Sequence, residues 1–357
     1  MAKLRTRLLV PLVLAICGLS VGDPVGGPSP VLAALVTAGG APAAGLLAQT
    51  AGTTRFETTG PSIGEADHFR AGSVTKTFVA TVVLQLAAEG RLSLDAPPAT
   101  YAPGLLPAPP DRRITLRHLL THTSGLPDLA PPIRPATPSA AVRAALARRP
   151  ARAPGAFSYA NTEYVVLGEV IAGATGRSHA AEAHRRVIAP LRLTGTSFPG
   201  ARTSLPEPHG RGHDSAGRDV TSLDPRTAGA AGELVSTLAD LNRFHAALLG
   251  GRLLPRPSLR VLLDTAPADG RYGAVPTRLP CGMTVWGHDG RVPGSYVRTA
   301  ATGDGRHVVT FQVSADTPAP RAPSPRAAGR ALVRSVLTAE FCAAADTRPA
   351  PDLTGDP

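Results

Sequence analysis

Lysine is nearly missing from this 357-residue chain: it stands only at Lys3 and Lys76, so 35 of the 37 basic residues are arginine. Asparagine is confined to Asn161 and Asn242, tryptophan to Trp286, and aromatic residues make up only 4% of the chain. So few stacking rings, with the arginines dispersed and no recognition motif, argue against nucleic acid as a partner despite the net charge of +11. A secreted basic protein would instead be drawn to an anionic cell wall. No segment beyond the amino-terminal one approaches the ~20 apolar residues of a membrane span. Cys281 and Cys342, isolated and with no nearby histidine pair, cannot build a zinc site. His118 and His122 are spaced like ligands on a helix but lack the glutamate of His-Glu-x-x-His, so no metal or other cofactor is expected. At 43% apolar and 18% charged, the chain has the composition of a folded protein that buries a core.

Residues 1–22 combine a basic start, an apolar run from Leu8 to Leu19 and a small-x-small ending, the pattern of a secretory signal. Removal of that segment leaves Cys281 and Cys342 in an oxidising compartment, paired as a disulfide or kept as two buried thiols. A Gly/Pro linker is expected over 23–30 and a flexible tail over 343–357. Between them, periodicity predicts a helix at Val31–Ala38, strands at Gly45–Ala51 and Thr53–Thr58, and a long helix from near Ser73. On that helix Phe78, Val79, Val82, Val83 and Leu86 share one face, and Gly90 ends it. A Pro-rich middle, about 95–230, carries helical patches at Thr115–Thr121, Ala140–Arg149, Thr162–Ala174 and His179–Val187. Strands return at Met283–His288, Ser295–Ala301 and His307–Ser314, the last two joined by Thr302-Gly303-Asp304-Gly305, before a final helix over Ala327–Phe341. The expected fold is α/β: one antiparallel sheet flanked by helices, spanning 31–342, with a mainly helical insertion.

Three clusters carry chemistry. In Ser73-Val74-Thr75-Lys76 the spacing of one helical turn lets a hydroxyl meet an amine beside free N–H groups, which is what nucleophilic acyl transfer requires. Read alone, the same residues are equally a helix cap and a solvated lysine. Tyr159-Ala160-Asn161 places a tyrosine, whose pKa a nearby lysine can lower, beside an amide able to donate to and accept from a substrate. Its plain alternative is a helix cap with a packed ring. Trp286-Gly287-His288-Asp289-Gly290 reads as a strand whose glycines admit close backbone approach, with the N–H of Arg291 available to a carbonyl oxygen.

In this order and spacing the clusters resemble the penicillin-recognising serine hydrolases: serine β-lactamases, penicillin-binding proteins and related esterases. The family motifs Ser-x-x-Lys, Tyr-x-Asn and Lys/His-x-Gly correspond here to Ser73 with Lys76, Tyr159 with Asn161, and His288 with Gly290. The flanking FRAGSVTKTF, HLLTHTSGLPD and GHDGRVPGSYV are similar too. The resemblance is greatest to secreted actinomycete D-alanyl-D-alanine carboxypeptidases, which also carry cysteines at the positions of Cys281 and Cys342. It implies that Ser73 is acylated, that Lys76 or Tyr159 takes its proton, and that Tyr159 serves the leaving group and later the water. It further implies that Asn161 holds the substrate amide and that the N–H groups of Ser73 and Arg291 form the oxyanion hole. The implied partners are a peptidoglycan stem peptide or another small amide or ester, and β-lactams as acylating ligands. A carboxypeptidase needs a cation for a terminal carboxylate, and Arg278 is the candidate. The same residues suit a β-lactamase or small-ester hydrolase, and a non-catalytic penicillin- or wall-binding protein is the reading from another class.

Overall fold

The computed structural model describes residues 28–50, 52–60, 63–106, 114–129, 137–148, 152–264 and 273–343. The secretory signal expected at 1–22 and most of the linker and tail lie outside them. In chain order the main elements are α1 (Pro30–Thr37), β1 (Ala44–Thr50), β2 (Thr53–Thr59), β3 (Phe69–Arg70), α2 (Thr75–Ala88), α3 (Leu116–Leu120), α4 (Pro138–Arg148), α5 (Asn161–Thr175), α6 (His179–Ala183) and α7 (Ala189–Leu191). They continue with β4 (Val235–Ser236), α8 (Leu238–Leu249), α9 (Arg256–Leu263), β5 (Val275–Arg278), β6 (Thr284–Val292), β7 (Ser295–Thr302), β8 (Val308–Val313) and α10 (Pro325–Cys342).

Six strands form one antiparallel sheet in the order β2-β1-β8-β7-β6-β5, and β3 pairs with β4 in a second, two-stranded sheet. Alternation along the strands separates two cores. Leu46, Val309, Phe311 and Val313 face α1 and α10 through Leu35, Val336, Leu337 and Phe341. Leu47 and Val297 face the larger core, which contains α2, α5 and α8. At about 25 cal/mol per Å2 of apolar surface, each such fully buried Leu or Phe contributes about 2 kcal/mol. The Cys281–Cys342 disulfide forms, joining the turn before β6 to the end of α10.

Two expectations change. The stripe expected on α2 is buried, but so are Thr75, Lys76, Thr77 and Thr81: the helix runs through the core rather than along its surface. Its threonines satisfy themselves locally, Thr75 Oγ1 donating to the Gly72 carbonyl and Thr81 Oγ1 to that of Thr77, while Thr77 Oγ1 donates to the Gly273 carbonyl. Ser73 lies just ahead of α2, in a 3-10 turn over Gly72–Val74. The sequence reading also leaves out β5, whose Pro276 is admissible because this strand is the sheet's edge.

Candidate active site

Ser73, Lys76, Tyr159 and Asn161 meet in one cluster. Lys76 has no exposed surface, and its Nζ lies 3.1 Å from Ser73 Oγ, 2.8 Å from Asn161 Oδ1 and 2.6 Å from the Ala231 carbonyl oxygen. Two of these partners can only accept, since an amide oxygen and a carbonyl carry no proton. A neutral amine has two protons for those two acceptors and one lone pair, which is left for the Ser73 hydroxyl. Burial pushes the Lys76 pKa down to about 7, against the carboxylates of Asp128, Glu163 and Asp289, which hold it up. The amine is therefore available near neutrality in the geometry that accepts a proton from Ser73.

Tyr159 hydroxyl oxygen lies 2.8 Å from Ser73 Oγ. With Ser73 donating to Lys76, Tyr159 donates to Ser73. The sequence suggested a lysine-lowered tyrosine, but the reverse holds: burial of the hydroxyl end raises its pKa, while the hydrogen bond with Ser73 opposes this. Lys76, with a pKa of about 7, is only partly charged near neutrality and does not offset that burial. The Tyr159 side chain nonetheless remains 38% exposed, so the ring borders the cleft while its hydroxyl faces the cluster.

Behind Tyr159 lies a buried pair that the sequence reading did not identify. Glu163 has no exposed surface; it is bound by His122 Nδ1, by the Ser124 hydroxyl at 2.5 Å and by the Ser124 N–H at 3.3 Å. Burial holds its carboxyl well above the usual range. The His122 ring packs against that of Tyr159, the two tilted by 34° with centroids 4.3 Å apart. Glu163 is two residues from Asn161 on α5, so one pair joins the loop after α3 to the helix that carries the Lys76 acceptor. Asp128, from the same loop, accepts the Asn161 N–H at 2.6 Å and fixes the start of α5.

The third cluster arrives on β6. An added Cβ at Gly290 would lie 1.8 Å from the Ala71 carbonyl oxygen, and one at Gly72, where φ is +51°, would lie 2.6 Å from Arg291 N. Glycine at both positions lets β6 dock against the turn that carries Ser73, which brings the Arg291 N–H to the nucleophile's neighbour. His288 is buried, bonded through Nδ1 to the Asp289 carbonyl, and burial pushes its pKa down to about 4. It is neutral at pH 7, and the Lys76 charge contributes to that depression. Arg278 is not brought to the cluster: it pairs with Thr284 at the far end of β5, about 13 Å along the strand from the level of His288. His118 and His122 do not converge either, since His118 Nδ1 accepts the Thr115 N–H at 3.1 Å while His122 turns to Glu163. Among the described residues no group of three or more His, Cys, Asp or Glu is placed to hold a metal ion, and no helix is long and apolar enough to cross a membrane.

A family model described as Beta-lactamase matches residues 29–333. Among solved structures, a D-stereospecific amidohydrolase from Streptomyces sp. superposes with a TM-score of 0.78 at 35% identity, covering 88% of this chain and 97% of that one. The D-amino acid amidase of Ochrobactrum anthropi gives 0.76 at 26% identity, covering 87% and 96%. Penicillin-binding protein 4 of Amycolatopsis lactamdurans is 29% identical over 225 residues, 55% of each chain. The chain spans about half the length of the curated relatives it matches.

Proposed function

The chain belongs to the beta-lactamase family of serine hydrolases, and from that premise we propose that it hydrolyses small amides of D-amino acids bearing a free amino group, through an acyl-enzyme on Ser73. The observation that carries the chemistry is the buried Lys76, bound by two obligate acceptors with its remaining site on Ser73. Ser73 Oγ attacks the scissile carbonyl carbon and its proton passes to Lys76 Nζ. The oxyanion is received by the N–H groups of Ser73 and Arg291. As the tetrahedral adduct collapses, the amide C–N bond breaks. Tyr159 gives its proton to the leaving nitrogen and recovers one from Lys76 through a water that enters as the amine leaves, since the acylated Ser73 oxygen carries no proton to relay. Water then adds to the ester along the reverse proton route, releasing the acid and restoring Ser73. Tyr159 serves as a conduit rather than as a standing phenolate, consistent with its raised pKa.

Charge supports the substrate class. Among the described residues the charges that act on Lys76 are those of Asp128, Glu163 and Asp289, and the same carboxylates act on Tyr159. Such a cleft attracts an ammonium beside the scissile carbonyl and repels a carboxylate there. The neighbouring folds named for D-stereospecific and D-amino acid amide hydrolysis support the same class. A carboxypeptidase acting on D-Ala-D-Ala ends, expected from the sequence, would need a cation that Arg278 is too distant to supply. The disulfide supports work in an oxidising compartment and accords with export by residues 1–22.

The test is a parallel assay of D-phenylalanine amide, its N-acetyl derivative, a peptide ending D-Ala-D-Ala, a chromogenic β-lactam and a nitrophenyl ester, with Ser73→Ala as blank. Ammonia release from the free amide, lost on acetylation, is expected. Faster D-Ala release from the peptide would overturn the amidase assignment in favour of the carboxypeptidase.

A further inference from the structure

We propose that the cavity beside Arg70, behind the turn that carries Ser73, binds a monovalent anion of halide size. Arg70 closes β3, three residues before the nucleophile, and is only 4% exposed. Its Nη2 donates to the carbonyl oxygens of Thr203 and, at 3.4 Å, Thr221. Nε and Nη1 are buried and meet no acceptor among the described residues. Among the described residues no carboxylate pairs with the guanidinium, and burial lowers its pKa. A buried cation supplied with carbonyl dipoles but no counter-charge is an incomplete arrangement.

Arg70 lines a cavity of about 30 Å3, shared with Asp67, His68, Arg211, Thr221 and Ser295. That is room for a halide or one to two waters. The charged neighbours do not supply the missing partner. The Asp67 carboxylate is engaged by the Gly64 N–H at 3.0 Å, and Arg211, itself a cation, pairs weakly with Asp219 at 3.4 Å. Asp316 is turned to Arg291, 3.6 Å away. Water would satisfy the spare N–H groups but leave the charge uncompensated, whereas a halide does both for the N–H group it meets. The site is separate from the acyl-transfer cluster and faces the Ser295 end of β7, whose hydroxyl donates to the Arg70 carbonyl at 2.9 Å. Occupancy would therefore brace the strand that leads into Ser73.

Two measurements on the mature protein test this. Crystals soaked in sodium bromide should show an anomalous peak within hydrogen-bonding range, about 3.5 Å, of the Arg70 guanidinium. In solution, chloride should raise Tm saturably, by about 2–4 °C beyond an equal ionic strength of a bulky sulfonate, and Arg70→Met should abolish the difference. Should Arg70→Met fail to fold, saturation and the size selectivity of the wild type decide the point. Water at that position without anomalous signal overturns the proposal. So does a bromide peak without a saturable, size-selective Tm shift, which marks an adventitious ion only.

Discussion

Removing the side-chain charge of Asp289 by Asp289→Asn should move the acid limb of acylation to lower pH. The argument starts at Lys76, whose pKa falls from 10.5 to about 7. That displacement is worth about 5 kcal/mol at ~1.4 kcal/mol per unit. An ordinary lysine would be neutral in only about one molecule in 3,000 at pH 7, whereas about half of the Lys76 amines are neutral there. Acylation needs the neutral amine, so its rate should rise through pH 7 and level off above 8. Asp289 holds the pKa up, hence its removal lets the pKa fall further. The carboxylate is more than half exposed, so screening limits the effect to about half a unit, less in high salt. Asp128→Asn, which keeps an acceptor for the Asn161 N–H, should act in the same direction, and the two should add. Stopped-flow acylation by a p-nitrophenyl ester between pH 5 and 9 at constant ionic strength reads the limb. A limb above pH 9, or one that moves upward in either variant, would refute Lys76 as the tuned base.

Removing the ring that backs Tyr159, by His122→Ala, should lower kcat about 10- to 100-fold with KM little changed, because the reacting hydroxyl loses its position rather than its chemistry. Glu163→Gln keeps the pair's shape, and steady-state pH profiles should show its acid limb shifted downward, since Glu163 also holds the Lys76 pKa up. Gly290→Ala forces β6 away from Ala71 and should abolish acylation while circular dichroism stays unchanged. Reduction of Cys281–Cys342, or Cys281→Ser with Cys342→Ser, should cost about 4 kcal/mol for a closed loop of 61 residues, read in urea melts.

How much of this was legible in the sequence depends on whether a residue's role is local. The scarcity of lysine singled out Lys76, and the one-turn spacing to Ser73 survives the 3-10 start of α2. For Cys281 and Cys342 the sequence allows a disulfide or two buried thiols, and the structure joins them. Long-range partners were not legible. One of the two acceptors on Lys76 is a backbone carbonyl 155 positions away, which no side-chain pattern can announce. His122 and Glu163 are 41 residues apart, and only the packing of α5 on the loop after α3 makes them a pair. The Tyr159 shift has the opposite sign to the one the spacing suggests because spacing reports a lysine nearby but not the burial of the phenol, which dominates. By contrast, the signal for α8 is local, in the Thr237 cap and the stripe Leu238, Leu241, Phe244 and Leu248.

Covalent labelling of Ser73 tests the central claim most directly. After brief incubation with penicillin or a slow amide substrate, intact-mass and peptide mass spectrometry should find one acyl group per chain, on the peptide holding Ser73 and absent from Ser73→Ala. Turnover of substrate without an adduct on that peptide under rapid acid quench, or with an adduct on any other residue, would contradict the account.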